Sequence, residues 1–217
     1  MSGPMRAAVQ DRYGPPEVLR IEEVARPEPA DGEVLVRVRA STVSQTDTHV
    51  RGGHPAFWRL IAGWRGPRWR TLGVEFAGVV EAVGPGATTL AVGDEVFGMV
   101  GWQTGAHAEY ISVAEHGPIA LKPAQLSFEE AAAVCDGAVQ ALATLRAGAI
   151  GEGSRILIYG ASGSLGTAAV QIAKHLGAEV TGVTSMRNDR TSPCSENCAS
   201  MANSFPARRL TRPIPEG

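Results

Sequence analysis

The sequence predicts a chain in two parts, a β-rich N-terminal portion followed by an α/β segment built on parallel strands. Three observations carry this. Residues 5 to about 123 are short apolar or alternating runs broken by Gly and Pro turns, within a chain holding 26 Gly and 14 Pro. Residues 155–187, RILIYGASGSLGTAAVQIAKHLGAEVTGVTSMR, then read as strand, glycine turn, helix, strand. Between the two, Ser127-Phe128-Glu129-Glu130 has the form of a capping box, with Ser127 as cap and Glu130 at the third helical position.

Within the β part, Glu33 to Ala40 alternates charged and apolar residues, as a half-exposed strand does. Gly73 to Val83 is expected to be a strand pair closed by Gly84-Pro85-Gly86. Val92 to Gly98 gives a Gly-Asp turn feeding a strand, and Ala108 to Val113 gives one more. Many short strands between turns predict a small barrel.

In the α/β part, Ile156 to Tyr159 reads as a buried strand. A helix follows with Leu165, Ala168, Ala169, Ile172 and Leu176 on one face, and Gly177 stops it. The second strand runs Glu179 to Thr184. This is the unit that holds a dinucleotide pyrophosphate. The turn Ala161-Ser162-Gly163-Ser164-Leu165-Gly166 reads A-x-G-x-x-G, with Ala161 in place of the first glycine. Gly163 lets the backbone approach phosphates, Gly166 lets helix pack on strand, and the helix N-terminus supplies N–H groups and positive dipole. A glycine turn in another α/β protein is the competing reading. An NAD site wants an acid about 20 residues beyond the turn. Here Thr184-Ser185-Met186-Arg187 stands instead, and Ser185 with Arg187 suits the 2′-phosphate of NADPH. Asp189 lies close by, so NADP is favoured over NAD without excluding it.

The 217 residues are 44% hydrophobic with net charge −2, which points to no nucleic acid and no anionic membrane as partner. Three Cys, at 135, 194 and 198, predict a reducing compartment without a disulfide framework. With no signal peptide or membrane-length apolar run, a cytoplasmic location is expected. Residues 51–70, RGGHPAFWRLIAGWRGPRWR, interleave Trp58, Trp64 and Trp69 with Arg59, Arg65, Arg68 and Arg70. Such a loop could stack on nucleic acid, but a slightly acidic chain favours a loop lining a substrate cleft.

Five stretches together resemble the medium-chain dehydrogenase/reductase superfamily, in its zinc-independent quinone-oxidoreductase-like branch. They are Met5–Val9, Ser44–Asp47, Leu72–Val80, Val92–Val96 and Tyr159–Leu176. The resemblance implies a GroES-like β-barrel over residues 1–126, then a Rossmann NADP-binding domain of which 127–187 is the first half. It implies hydride transfer between NADPH and a small carbonyl, enone or quinone, with the active site in the cleft between domains. Zinc-dependent relatives place metal ligands where this chain has Ser44, Val74 and Cys135. Only the last is a ligand type, so no zinc is expected. Thr46 and His49 fall where zinc alcohol dehydrogenases carry a proton relay, which makes them the proton-transfer candidates, with Ser44 and Gln45 as oxygen donors. An idle surface imidazole is the competing reading for His49. Asp47 is expected to orient its neighbours, and His54, His107 and His116 have no expected partner.

After Arg187 the resemblance ends. Residues 188–217 lack apolar periodicity, with Pro206, Pro213 and Pro215 after Phe205, and read as a disordered tail. The second half of the Rossmann sheet and the strand through which relatives form homo-oligomers are absent from this sequence. A truncated or frame-shifted product is therefore expected, and the alternative function is a non-catalytic remnant that binds dinucleotide or protein at most.

Overall fold

The computed structural model describes residues 3–55, 58–101 and 104–184. The chain separates into two compact units, Met1–Cys135 and Asp136–Gly217. Ser185, Arg187, Cys194, Cys198 and the expected tail lie outside the described residues.

In the first unit, β1 (Pro4–Val9) pairs antiparallel with β2 (Arg20–Ala25). β3 (Glu33–Ser41) leads to two short helices, α1 (Gln45–Gly52) and α2 (Trp58–Ala62). Then come β4 (Glu75–Val83), β5 (Glu95–Met99), β6 (Tyr110–Ala114), β7 (Ile119–Leu121) and α3 (Phe128–Ala133). The larger sheet has the order β6-β3-β4-β5-β7, antiparallel throughout. The GroES-like architecture is present, but the described ladders do not close into a barrel. β1 meets the sheet region through two isolated bridges, Ala7 with Ala108 and Val9 with Thr71, in place of a continuous ladder.

Residues 73–83 hold one strand, β4, and not the expected pair. Gly78 is no turn: it sits opposite Val38, where any Cβ would overlap the Arg37 carbonyl. The glycine serves close strand approach. β3 places Val34 and Val36 in a core with Phe76, Val80, Val96, Ile111 and Val113. A second cluster, Ala77, Ala131 and Ala132, seats α3 on the sheet. The predicted capping box is in place: Ser127 Oγ accepts the Glu130 N–H at 3.1 Å and Glu130 accepts the Ser127 N–H at 2.9 Å.

The second unit contains most of α4 (Cys135–Ala147), then β8 (Arg155–Tyr159), α5 (Ser164–His175) and β9 (Glu179–Val183). β8 and β9 pair in parallel, Arg155 opposite Glu179 through Tyr159 opposite Val183. The expected burial of β8 is not observed. Ile156 and Ile158 are half-buried, while Leu157 is 62% and Tyr159 86% exposed. The buried positions of α5 are Gly166 and Ala173, and Leu165 is exposed. A parallel sheet ordinarily has both faces covered; here α5 packs against β8 and β9, while Leu157 and Tyr159 stay exposed. No described helix is long and apolar enough to cross a membrane.

Glu115 ties the β4–β5 connection to the end of β6. Its carboxylate accepts the Thr89 hydroxyl at 2.6 Å, the Thr89 N–H at 2.8 Å and the Thr88 N–H at 2.9 Å. The Thr89 hydroxyl first, then the two amides, hold its pKa down at about 2 against an ordinary 4.5. A depressed carboxyl contributes stability above its unfolded pKa and loses it as pH falls through the folded one. Glu115→Gln is therefore expected to lower the melting temperature at neutral pH. The gap to wild type should narrow between about pH 4.5 and about pH 2, as read by thermal unfolding across that range.

Candidate active site

The segment Ser44 to His49 is set by one carboxylate. Ser44 takes extended backbone and caps α1, its Oγ accepting the Asp47 N–H at 3.3 Å. Asp47 Oδ2 in turn accepts the Ser44 N–H at 2.8 Å and its hydroxyl at 2.9 Å. Asp47 Oδ1 reaches out of the helix to the Gly73 N–H, 3.0 Å away, and the residue is only 2% exposed. Asp47 thus orients its neighbours, as its position in the sequence suggests. The Ser44 hydroxyl is engaged at both its hydrogen and its oxygen.

Gly73 is there for its backbone. Its φ of +94° belongs to the left-handed region, and a Cβ would come within 2.5 Å of His107 N and 2.7 Å of its ring Cδ2.

Gln45, Thr46 and His49 project from the exposed side of α1. Gln45 Nε2 lies 3.2 Å from His49 Nε2, one helical turn on. With the amide nitrogen as donor, His49 Nε2 is the acceptor of this contact. The structure therefore joins His49 to Gln45, whereas the sequence pairs it with Thr46.

Sequence reasoning missed two partners of this segment. His107 Nε2 lies 2.8 Å from the Thr42 carbonyl oxygen. Buried Glu75 accepts the Thr42 hydroxyl through its carboxylate, and the Ser41 hydroxyl through its main-chain carbonyl at 2.8 Å. Glu75 stands in the LGVEFAG stretch, but alternation there signals only a strand. His107 carries no periodic or spacing signal at all. His116 is no longer partnerless either, with Nε2 at 3.5 Å from Glu115.

At the three positions where zinc-dependent relatives carry ligands, Ser44 caps a helix, Val74 is buried, and Cys135 Sγ–H donates to Ala131 O at 3.3 Å. Among the described residues no three His, Cys, Asp or Glu side chains are grouped as a metal site would need.

Residues 51–70 are anchored to the 10–14 segment. Tyr13 OH donates to Gly63 O at 2.9 Å and the Arg59 guanidinium lies over the Tyr13 ring. Arg70 pairs with Asp11 at 2.7 Å and Glu22 at 2.9 Å, and Arg20 bridges the same two carboxylates. Arg59 and Arg70 thus have partners within the chain. Trp64 is 75% exposed, and the Trp58 side chain lies outside the described residues. Arg68 and Trp69 help line a groove of about 840 Å³ with Met5, Val24, Met99 and Val113. Ser44 to His49 do not line it.

In the second unit, β8 ends at Tyr159, and Gly160, with a φ of +77°, turns the chain into 161–163. Gly163, in extended backbone, starts α5 with no side-chain cap. A Cβ on Gly163 would meet nothing nearer than Gly160 O at 3.5 Å, whereas one on Gly166 would overlap that same carbonyl. Gly163 leaves an open cradle above an uncapped helix N-terminus, and Gly166 is the close-packing point. Both are what a bound pyrophosphate needs. Gly137 of α4 lies close to Ser164, where a Cβ would come within 2.7 Å of Oγ.

Residues 30–123 match the alcohol dehydrogenase GroES-like domain. Over 173 residues the chain is 36% identical to a quinone oxidoreductase of Sus scrofa, covering 79% of this chain and 50% of that protein. It is 34% identical over 206 residues to an alcohol dehydrogenase of Geobacillus stearothermophilus, covering 82% and 58%. Among solved structures, the quinone oxidoreductase from Coxiella burnetii superposes with a TM-score of 0.75 at 30% identity, covering 85% of this chain and 58% of that one. The chain thus spans about half the length of the relatives it matches.

Asp47→Ala would leave the Gly73 and Ser44 N–H groups without their acceptor. It is expected to cost about 3 kcal/mol of unfolding free energy. Urea denaturation measures this, and a loss under about 1 kcal/mol would show that the carboxylate does not hold α1.

Proposed function

Since the chain belongs to the medium-chain dehydrogenase/reductase superfamily and is quinone-oxidoreductase-like, we propose that it serves an NADPH-dependent oxidoreductase acting on a small carbonyl, enone or quinone. The observation that carries the reading is the second unit's turn. A parallel strand pair, a left-handed Gly160, an open Gly163 and a close-packed Gly166 support dinucleotide binding at Ala161, Ser162, Gly163, Ser164, Leu165 and Gly166. Bound NADPH would supply the hydride. The chain's own residues would bind it and manage the proton. The first turn of α5 would meet the pyrophosphate with its N–H groups and dipole. Ser185 and Arg187 would take the 2′-phosphate, Arg187 through its planar fork.

The first unit would deliver the proton from the His49 imidazolium, which becomes neutral imidazole as it does so; the ring lies exposed on α1 beside Gln45. Thr46 would relay it or hold the substrate oxygen. Ser44 is the weakest of the four candidates, because its hydroxyl is already engaged by Asp47. A zinc-free mechanism follows from the chemistry of the donor set, with serine and valine at two of three ligand positions.

A second reading, a non-catalytic chain that binds dinucleotide or protein, is favoured by the open face of β8, where Leu157 and Tyr159 are exposed. A parallel sheet with one uncovered face holds its ligand loops less firmly.

Thermal unfolding with NADPH and then NADH separates these. NADPH at about a hundredfold over its Kd should add about 2.7 kcal/mol of stability, with a smaller effect from NADH. Arg187→Ala should bring the two cofactors level. No shift with either cofactor would sink the dinucleotide reading, and a shift without NADPH oxidation on a quinone and enone panel would favour the second. Exhaustive chelation is expected to leave both turnover and melting temperature unchanged. Activity lost to the chelator and restored by zinc would overturn the zinc-free assignment.

A further inference from the structure

We infer that His107 is a positioning residue for the α1 site, clamping the 41–44 segment that aims Gln45, Thr46 and His49. For its activity readout the inference rests on the redox reading above; its geometry stands apart from that reading.

α1 has eight residues, too short to hold a direction by its own hydrogen bonds. Its entry segment is therefore fixed from outside. Ser41 and Thr42 are bound to Glu75, and Ser44 to Asp47. The Thr42 carbonyl is held by the His107 ring, which comes from 65 residues further along the chain. His107 itself is locked. Its N–H donates to Leu72 O at 2.9 Å, and its carbonyl accepts the Ala8 N–H at 2.8 Å. Its ring Cδ2 fills the space a side chain at Gly73 would need. The same Gly73 donates to Asp47. One glycine thus joins both clamps, the carboxylate inside α1 and the imidazole before it. A carbonyl oxygen only accepts, so His107 Nε2 must carry a hydrogen. A side chain without a donor there would leave Thr42 O unbound and let the segment swing.

The test uses the full chain, with His107→Phe and His107→Gln, whose amide nitrogen can donate from nearly the same place. In His107→Phe, amide hydrogen exchange over residues 43–48 should rise about tenfold. The kcat for the best substrate of the quinone and enone panel should fall about tenfold, with KM for NADPH within about twofold of wild type. His107→Gln should restore both. On the wild type, ring nitrogen NMR should find Nε2 protonated. Unchanged exchange in His107→Phe, failure of His107→Gln to restore it, or a ring protonated only at Nδ1 would each overturn the inference. If the wild type reduces nothing on the panel, the redox reading falls. Exchange and ring tautomer still decide on His107.

Discussion

The buried carboxylate of Asp47 is the constraint on which the first unit's candidate site depends. A carboxylate with little contact with water must be met by donors on its accepting atoms. Asp47 finds them in two places, the Ser44 turn on its own helix and the Gly73 amide in the segment leading into β4. That single group makes a short helix part of the sheet's framework. It also demands an unusual backbone at position 73, because the amide must point inward while His107 occupies the side-chain direction. The glycine, the aspartate and the histidine are one device.

The same physics recurs at the edges of this unit. Glu115 gathers the amides of Thr88 and Thr89, and Asp11 with Glu22 takes Arg20 and Arg70. The strands are short and the connections many, so loops are tied down by carboxylates that reach across to main-chain amides or guanidinium groups. Such ties to N–H groups contribute more than exposed ion pairs do, because the acceptor is already partly desolvated. The aromatic and basic loop 51–70 is held by the Arg70 ion pairs and by Tyr13, whose hydroxyl donates to Gly63 O and whose ring lies under Arg59.

The second unit follows a different rule. Its organising feature is a backbone one, a turn where glycine at 166 lets helix and strand touch and glycine at 163 leaves the helix end open. What it lacks among the described residues is cover. Ile156 and Ile158 gain some burial, while Leu157 and Tyr159 face outward on a parallel sheet that ordinarily has two covered faces.

By itself the sequence determined what is local or periodic. The strand at β3, the Ser127–Glu130 capping box, the glycine stop after α5 and the strand-turn-helix-strand order of 155–183 are each written within a few residues, and all are present; the alternation read in β3 is not, since Val34, Leu35 and Val36 are buried in succession. That Asp47 orients its neighbours was legible in the Ser44–Asp47 stretch, while its bond to the Gly73 amide, 26 residues on, was not. Tertiary structure alone decided the rest. The stretch 73–83 was expected to be a strand pair and holds one strand, in which Gly78 is a point of strand contact because its crowding comes from Arg37, far away in sequence. The burial of β8 depended on neighbours that a five-residue strand cannot announce. His107 meets Thr42 only because the β5–β6 connection passes over Gly73. Hydrogen bonds between distant segments leave no period in the chain, so only the folded arrangement reveals them.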